Sequence, residues 1–359
     1  MNKIKITGIL ALLMLTIVTI NACKKDPVEE PDEPYTLDIG TFPTPNLPAD
    51  NPLTREGVKL GRMLFYEKKL SGTNTQSCSS CHMQQFAFSD TAALSIGVRG
   101  MHGKRQAMSV SNMAWNSNEF FWDGRAHLLR DQSLKPIQDA LEMDETLDNV
   151  VAKLQADETY RNQFRKAFGT ETITSELMSK AMEQFMLTIV SKSSKFDDYK
   201  AGKATLTPEE ERGRFLFFTE YNPGFPAQSG ADCQHCHGGA NFENDAFMNN
   251  GLDADADFID IGREGVTGLA SDRARFKVPS LRNVAITAPY MHDGRFKTLE
   301  QVVGHYNLVR NSSTLDPSFQ QQLPNGLQLS PQDRAALVAF LKTLTDKDLT
   351  TNPVYSSPF

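Results

Sequence analysis

The fold of this chain is decided by Cys78-Ser79-Ser80-Cys81-His82 and by a second copy of the same pattern, Cys233-Gln234-His235-Cys236-His237. CxxCH is the attachment signature of c-type haem: two thiols add to the haem vinyl groups, and the adjoining histidine becomes the proximal iron ligand. Zinc sites or structural disulfides would leave the histidine after each pair unexplained. The sequence therefore predicts two covalently bound haem c groups, held by Cys78, Cys81, His82, Cys233, Cys236 and His237.

The segment before each motif also repeats. Gly61-Arg62-Met63-Leu64-Phe65-Tyr66 lies 17 residues before Cys78, and Gly213-Arg214-Phe215-Leu216-Phe217-Phe218 lies 20 residues before Cys233. Each follows a helix-start signal, and the second of these, Thr207-Pro208-Glu209-Glu210, has a capping threonine, proline at the first helical position and glutamate at the third. Each copy is thus predicted to be a helix, a loop and a haem-binding CxxCH, which is the plan of a small cytochrome c domain.

The remaining hydrophobic patterns are also helical. Apolar residues recur at three- and four-residue spacing over Leu147 to Phe168 and over Ser175 to Val190, and Ser330 caps a further helix with an apolar stripe. Alternating strand patterns are nearly absent. We therefore predict an all-α chain of two tandem cytochrome c-like haem domains, residues 51–200 and 201–359.

The composition excludes some functions. With 359 residues the chain is long enough for two cores, and its formal net charge is -7. Binding to nucleic acid is not expected, because it needs a dense basic stripe that this chain lacks.

The N-terminus predicts export. Lys3 and Lys5 precede an apolar run that ends at Asn21-Ala22-Cys23, so residues 1–22 are predicted to be a signal peptide rather than a transmembrane helix. The last residues resemble a bacterial lipobox, in which Cys23 is lipidated; a signal peptide without lipidation is the alternative. Residues 23–50, rich in Pro, Glu and Asp, are expected to form a flexible linker. The predicted location is the periplasm, with the protein tethered to a membrane by Cys23.

The segments between and after the motifs carry a family resemblance. They include Phe121-Trp122-Asp123-Gly124-Arg125-Ala126, Phe276-Lys277-Val278-Pro279-Ser280-Leu281-Arg282-Asn283-Val284 and Thr287-Ala288-Pro289-Tyr290-Met291-His292-Asp293-Gly294, as well as Gln132, Pro136-Ile137 and Glu142-Met143. Together these segments resemble the bacterial di-haem cytochrome c peroxidases and their relative MauG. The resemblance runs from about Leu53 to Leu344.

This resemblance implies roles for individual residues. In that family the first haem binds peroxide and the second receives electrons. Gln132, Pro136 and Glu142 match the distal pocket, where Glu142 would be the acid–base catalyst that relays a proton between the peroxide oxygens. Trp122 matches the tryptophan between the haems. The alternatives are an exposed helix carboxylate for Glu142 and a core-filling role for Trp122, a role that suits Trp115 better.

The resemblance also implies an interdomain calcium ion. Thr287 and Pro289 match positions that give oxygen ligands to calcium, which accepts many oxygen ligands in a loose geometry. The third family ligand is an asparagine, and its position here is Gln106, whose side chain also offers an amide oxygen.

Two positions depart from the family pattern. Many members have a histidine after the first motif that plugs the peroxide site until the other haem is reduced, and that position is Val98 here. His102 lies four residues further on and is either a substitute plug or a solvated loop residue. We therefore expect a peroxide site that needs no reductive activation.

The second departure concerns the far ligand of the second haem. The better-known peroxidases use a methionine fourteen residues after the histidine of the HDG motif, and here that position is Tyr306. Leu299, Val302, Val303 and Tyr306 share one helical face, so Tyr306 should point inward. MauG has a tyrosine ligand at the corresponding place. The alternative is a structural tyrosine, with Met291 as the ligand.

Three functions remain in view. The first is a cytochrome-c peroxidase that reduces H2O2 to water with electrons from a small periplasmic cytochrome c or cupredoxin. The second is a MauG-like oxidase of a protein or organic substrate. The third is an electron carrier without catalysis, against which the distal-pocket residues argue. The resemblance further suggests a homodimer.

Overall fold

The computed structural model describes residues 33–117 and 119–359, which form helices joined by long loops. The helices of the first half are α1 (Arg55–Tyr66), α2 (Leu129–Gln138), α3 (Leu147–Gln155), α4 (Glu158–Phe168), α5 (Ser175–Thr188) and α6 (Lys195–Lys200). Those of the second half are α7 (Pro208–Phe218), α8 (Glu264–Thr267), α9 (Leu299–Asn307), α10 (Pro331–Lys342) and α11 (Lys347–Thr351). The predicted helical class is confirmed. The predicted signal peptide and Cys23 lie outside the described residues.

Strand structure in the described ranges is slight. β1 (Phe247–Met248) and β2 (Phe276–Lys277) pair antiparallel, with Phe247 opposite Lys277. Within the same ranges, no helix is long and apolar enough to cross a membrane.

The helix starts follow the capping signals. Thr54 caps α1 by accepting a hydrogen bond from the backbone N–H of Gly57 at 3.2 Å. Thr207 and Glu210 form the predicted capping box of α7, with Pro208 at its first position. The pattern over 147–168 is two helices, because the first ends at Gln155 and Asp157 caps the second by accepting from Thr159 N–H.

Each domain contains a pair of helices that cross in close contact, and the same type of crossing occurs in both domains. In the first domain Gly61 of α1 lies against the Ala181 carbonyl oxygen of α5, and a Cβ at Gly61 would collide with it. In the second domain Gly213 of α7 lies in the same way against the Ala336 carbonyl oxygen of α10. Glycine at both positions lets the backbones approach. The repeat of Gly61-Arg62 and Gly213-Arg214 in the sequence therefore marks a repeated helix pair.

The helix pairs enclose two separate apolar cores. The first core gathers Leu60, Leu64, Phe65, Phe88, Phe164, Met182 and Phe185. The second core gathers Phe196, Leu216, Phe217, Phe242, Leu337 and Phe340. The aromatic rings of the second core pack at short range; the Phe217 and Phe340 centroids, for example, are 5.1 Å apart.

Two buried asparagines, Asn112 and Asn283, make equivalent hydrogen bonds in the two domains and link the domains to each other. The amide nitrogen of Asn112 donates to the carbonyl oxygen of Ser191 after α5 and, at 3.0 Å, to the side-chain oxygen of Asn241 in the second domain. The amide nitrogen of Asn283 donates to the hydroxyl of Ser191 at 2.9 Å, and its side-chain oxygen accepts from the backbone N–H of Asp346. Asn112 thus holds the chain that leaves α5, and Asn283 holds the chain that leaves α10.

The structure differs from the predicted flexible linker over residues 33–50. Phe42 is only 6% exposed, its ring centroid lies 4.6 Å from that of Trp115, and the Arg282 guanidinium lies 4.3 Å from its ring centre. The indole of Trp115 also donates to the Pro43 carbonyl oxygen at 2.7 Å. This stretch therefore contacts both domains. Although its composition is polar, its apolar side chain Phe42 packs against Trp115 of the first domain and Arg282 of the second.

The C-terminal residues return to the first domain. Leu349 is buried in the first core, and the Tyr66 hydroxyl donates to the carbonyl oxygen of Tyr355 at 2.7 Å. The amide of Gln84, just after the first CxxCH, donates to the carbonyl oxygens of Leu349 and Asn352. The last turn of the chain thus stabilises the loop behind the first motif.

Candidate functional site

Both CxxCH motifs open into one cavity of about 610 Å³. Residues of both domains line it, and we call the part beside the Cys78 motif its first end and the part beside the Cys233 motif its second end. Six of its lining residues come from the motifs: Cys78, Cys81, His82, Cys233, Cys236 and His237.

Local turns place the thiols and the imidazole of each motif on the cavity side. Each motif begins with a single 3-10 turn, Cys78–Ser80 in the first and Cys233–His235 in the second. The backbone N–H of His82 then donates to the Cys78 carbonyl oxygen at 2.9 Å, and His237 makes the same bond to Cys233. The four thiols are free of disulfides in the described part of the chain.

Both motif histidines have the electronic state of a haem ligand. His82 Nδ1 lies 3.1 Å from the Phe88 carbonyl oxygen, and His237 Nδ1 lies 3.2 Å from that of Phe242. Burial lowers the pKa of both, that of His237 to about 4, so each ring is neutral at neutral pH. A neutral ring that donates through Nδ1 keeps the Nε2 lone pair for a metal. The two thiol pairs and these imidazoles therefore fit one c-type haem at each end of the cavity.

A half-buried carboxyl lies at the first end of the cavity. Gln132 and Pro136 of α2 and Glu142 after it line the wall near the first motif. Desolvation raises the pKa of Glu142, the negative charge of Asp139 raises it further, and Arg125 opposes both. The Glu142 charge also raises the pKa of Cys78, after the larger effects of burial and Cys81. This end of the cavity thus contains a carboxyl group with a raised pKa, which is a common feature of functional sites.

The loop that would carry a plugging histidine places none at this end. Val98 stands at the plug position, and its backbone N–H donates to the Glu142 carbonyl oxygen at 2.8 Å. His102 is exposed, and its Nδ1 lies 3.2 Å from the Leu94 carbonyl oxygen. The structure therefore supports the solvated alternative for His102.

Two candidate ligands lie together at the second end of the cavity. Tyr306 on α9 and Met291 both line it. The side-chain nitrogen of Asn250 lies 3.1 Å from the Tyr306 hydroxyl oxygen and 3.5 Å from the Met291 sulfur. Burial raises the pKa of Tyr306 to about 12, against a lowering effect of the Asn250 hydrogen bond. As the apolar pattern of α9 predicts, Tyr306 points inward.

Trp122 lines the cavity that both motifs line. It is 9% exposed, and its backbone carbonyl oxygen accepts from the Lys277 N–H at 2.7 Å. Gln106, Thr287 and Pro289 line the same cavity. The backbone N–H of Gln106 donates to the His292 carbonyl oxygen, and its side-chain nitrogen donates to the Ser89 hydroxyl at 3.1 Å.

Two further residues of the cavity wall, Asn250 and Glu243, belong to no motif of the sequence. Asn250 contacts both candidate ligands, yet it follows the very short strand β1 and belongs to no spacing rule. Glu243 lines the cavity and accepts a hydrogen bond from Asn241 at 2.6 Å, and burial and Asp245 raise its pKa to about 7. A glutamate six residues after a haem-ligating histidine was the only signal in the sequence.

Sequence models of two families match the chain in tandem. The one described as "Di-haem cytochrome c peroxidase" matches residues 55–205, and the one described as "Cytochrome c" matches residues 211–345. The methylamine utilization protein MauG of Methylophilus methylotrophus is 32% identical over 83% of this chain and 84% of its own length. The cytochrome c551 peroxidase of Nitrosomonas europaea is 33% identical over 84% of each chain.

Solved structures agree with this match. A MauG-like protein associated with microbial copper homeostasis is 35% identical, with a TM-score of 0.82 over 90% of this chain and 99% of its own. A dihaem peroxidase of Burkholderia thailandensis shares the fold at 22% identity, with a TM-score of 0.70 over 88% of this chain and 94% of its own. Two tandem cytochrome c domains, two CxxCH motifs on one cavity and relatives matched over most of their length lead to one conclusion: this chain belongs to the family of di-haem cytochrome c peroxidases and MauG.

Proposed function

We propose that this protein is a peroxidase that converts H2O2, two protons and two electrons into two waters. The observation that carries the proposal is the half-buried carboxyl group of Glu142, with its raised pKa, on the cavity wall beside the first CxxCH motif. Relatives named cytochrome c peroxidase support the same reaction class.

The two CxxCH motifs would supply the thiols that attach the haems and the histidines that bind the iron on the proximal side. Cys78, Cys81 and His82 would hold the first haem, and Cys233, Cys236 and His237 the second. When bound, the haems supply the redox-active iron at which peroxide is reduced and through which electrons enter. The backbone carbonyls of Phe88 and Phe242 fix the two imidazole rings and increase their basicity.

Glu142 is the proposed proton carrier. It accepts a proton from one oxygen of peroxide and returns it to the other, which then leaves as water. Burial keeps the carboxyl pKa above its usual value, closer to neutral pH, where exchange in both directions is efficient. Gln132 offers an amide for hydrogen bonding, and Pro136 shapes the wall without a competing N–H.

The proposed electron route runs from the second domain to the first. A small periplasmic cytochrome c or cupredoxin would dock near the Cys233 motif, and Trp122 would carry electrons between the haems. The presence of Trp122 in the wall of the cavity that both motifs line supports this route. Reduced cytochrome c should sustain peroxide turnover; failure of the holoprotein to consume peroxide in every redox state would reject the proposal.

We further propose that the first haem needs no reductive activation. Val98 at the plug position and the exposed ring of His102 support this. The fully oxidised protein should react with peroxide in a stopped-flow experiment. A reaction that starts only after one-electron reduction would contradict it.

Tyr306 is the proposed far ligand of the second haem. Its inward position, with its hydroxyl oxygen 3.1 Å from a side-chain donor on Asn250, supports it over Met291. Methionine ligation gives a weak far-red charge-transfer band, so the optical spectrum of the oxidised protein separates the two.

A MauG-like oxidase of a protein or organic substrate is the second candidate. Tyr306 and the MauG relatives favour it. The donor experiment separates the two functions, because an oxidase of this kind would not turn over peroxide with reduced cytochrome c alone.

The remaining proposals concern binding and location. Gln106, Thr287 and Pro289 would give oxygen ligands to a calcium ion, which the loss of bound calcium from a Gln106→Leu variant would test. The protein would be periplasmic and anchored through lipidated Cys23, and mass spectrometry of the mature N-terminus would test this. A homodimer is expected from the family, and light scattering would measure it.

A further inference from the structure

Asn250 lies where two competing side chains meet. Its side-chain nitrogen is 3.1 Å from the Tyr306 hydroxyl oxygen and 3.5 Å from the Met291 sulfur. Both neighbours line the second end of the cavity and both can ligate iron. A single amide group is thus in contact with both candidates for one coordination position.

Neighbouring rings hold Asn250 and Tyr306 in place. His305 donates from Nε2 to the backbone carbonyl oxygen of Asn250 at 3.1 Å. The Tyr306 ring stacks on Phe319, with centroids 6.0 Å apart and planes 20° apart. Helix α9 therefore holds the Asn250 backbone through His305 and presents Tyr306 to the Asn250 side chain.

The hydrogen bond from the Asn250 amide should favour Tyr306 over Met291 as an iron ligand. A phenolate oxygen has lone pairs for both a metal and a hydrogen bond, and a donor stabilises the charged form. Without this donor, the charged oxygen of Tyr306 would lie in the cavity wall with no hydrogen bond from Asn250. Thioether sulfur is only a weak acceptor, so the same N–H stabilises Met291 much less than it stabilises a charged oxygen.

We infer that Asn250 is a positioning residue that selects Tyr306 over Met291 as the far ligand of the second haem. The inference rests on the proposed Tyr306 ligation and adds the residue that decides it. Binding of Tyr306 would release its phenolic proton to water, and the hydrogen bond that Asn250 already donates would then stabilise the negative charge left on the oxygen.

The test compares three variants of the full-length holoprotein with the wild type. Asn250→Leu keeps the side-chain size and removes the donor, Asn250→Asp keeps the shape and replaces the donor by an anion, and Asn250→Gln retains the amide. The readouts are the far-red charge-transfer band, the spin-resonance spectrum and the reduction potential of the second haem. The signals of the first haem serve as an internal control for folding and haem content.

We expect the wild type and Asn250→Gln to lack the band. Asn250→Leu should gain it, with a positive shift of the potential, because a thioether raises and a phenolate lowers it. If Asn250→Leu does not bind haem, Asn250→Asp should show the same change. A donor-free variant, Leu or Asp, with the wild-type spectrum and potential would overturn the inference.

Other failures give other results. A far-red band in the wild type would overturn Tyr306 ligation, and the selection by Asn250 with it. Peroxide consumption by the same wild-type sample is measured separately, so that loss of the proposed peroxidase function would be recognised independently of the ligand result.

Discussion

The indole nitrogen of Trp122 donates a 2.8 Å hydrogen bond to the backbone carbonyl oxygen of Gln106. The N–H of Gln106 donates in turn to the carbonyl oxygen of His292, in a loop that repeats the Trp122 loop. The two loops share the Asp-Gly-Arg sequence and close with the bridges Phe120–Ala126 and Tyr290–Phe296. Gln106 therefore joins equivalent points of the two domains, and Trp122 is oriented by this joint.

Replacing Trp122 by phenylalanine should slow electron transfer between the haems. Phenylalanine is harder to oxidise and leaves the buried Gln106 carbonyl unpaired, which costs about 1–3 kcal/mol of stability. Flash reduction of the second haem, followed optically, measures the transfer rate. Trp115→Phe is the matched control, because it also removes an indole bond to a carbonyl, that of Pro43. Equal rates in both variants would remove Trp122 from the route.

Glu142→Gln should lower peroxide turnover by about 100-fold or more, as loss of a general acid–base group does. The amide keeps the size of the side chain but cannot exchange the proton. Glu145→Gln is the control, since Glu145 pairs with Lys153 through a 2.5 Å contact and is not among the residues that line the cavity. Steady-state rates with reduced cytochrome c measure both. Retained turnover in Glu142→Gln would exclude this residue from the mechanism.

The pH dependence of turnover should move with the charges around Glu142. The carboxylate form accepts the proton, so the rate falls as pH drops through its pKa. Asp139 raises this pKa, and Asp139→Asn should therefore move the acid limb of the pH–rate profile to lower pH. Asparagine keeps the oxygen that accepts from Leu141 N–H, so the turn is preserved. Arg125→Gln should move the limb to higher pH, and shifts of the same sign in both variants would contradict this account.

Local sequence signals anticipated the parts of this structure that local chemistry determines. The CxxCH turns place thiols and imidazole on one side because the whole unit spans five residues, and the capping box of α7 forms from Thr207 and Glu210 alone. The inward position of Tyr306 followed from the apolar stripe of α9. In each case the interacting groups are neighbours in the chain.

Contacts between distant segments escaped prediction. The polar composition of residues 23–50 predicted a flexible linker, but Phe42 finds a place between Trp115 and Arg282 that exists only after both domains have folded. Asn250 meets Tyr306 across 56 residues of chain. A sequence without aligned relatives carries no signal for such pairs.

The buried ion pair of Asp197 and Arg282 should make stability fall in acid. Burial alone would raise the pKa of Asp197, but its bonds from Arg282 and Ser194 outweigh burial and lower it. The unfolded carboxyl therefore takes up protons first, so this stabilisation is present above about pH 4 and is lost as pH falls further. Arg282→Met should cost about 3–5 kcal/mol at pH 7 by leaving a buried charge unpaired. Denaturant unfolding of the wild type and of Arg282→Met at pH 7 and pH 3 measures the two effects. If Arg282→Met lost as much stability between pH 7 and pH 3 as the wild type, this assignment would be contradicted.

The repeated glycine crossing makes the last prediction. Gly61→Ala should destabilise the first domain by about 1–3 kcal/mol, because the added methyl group has no space in a packed crossing and forces α1 away from α5. Gly213→Ala should do the same to the second domain at the Ala336 carbonyl.

Gly304→Ala is the matched control for both. Gly304 is also helical, but no atom lies within 4 Å of the position of its added Cβ, so alanine there should stabilise α9 by about 1 kcal/mol through helix propensity. Guanidinium unfolding of the holoprotein, followed at the Soret band of each haem, separates the two domains. Of these two variants, only Gly61→Ala places a methyl group against a carbonyl oxygen. Equal stability of Gly61→Ala and Gly304→Ala would therefore show that the stability of the first domain does not depend on the close crossing.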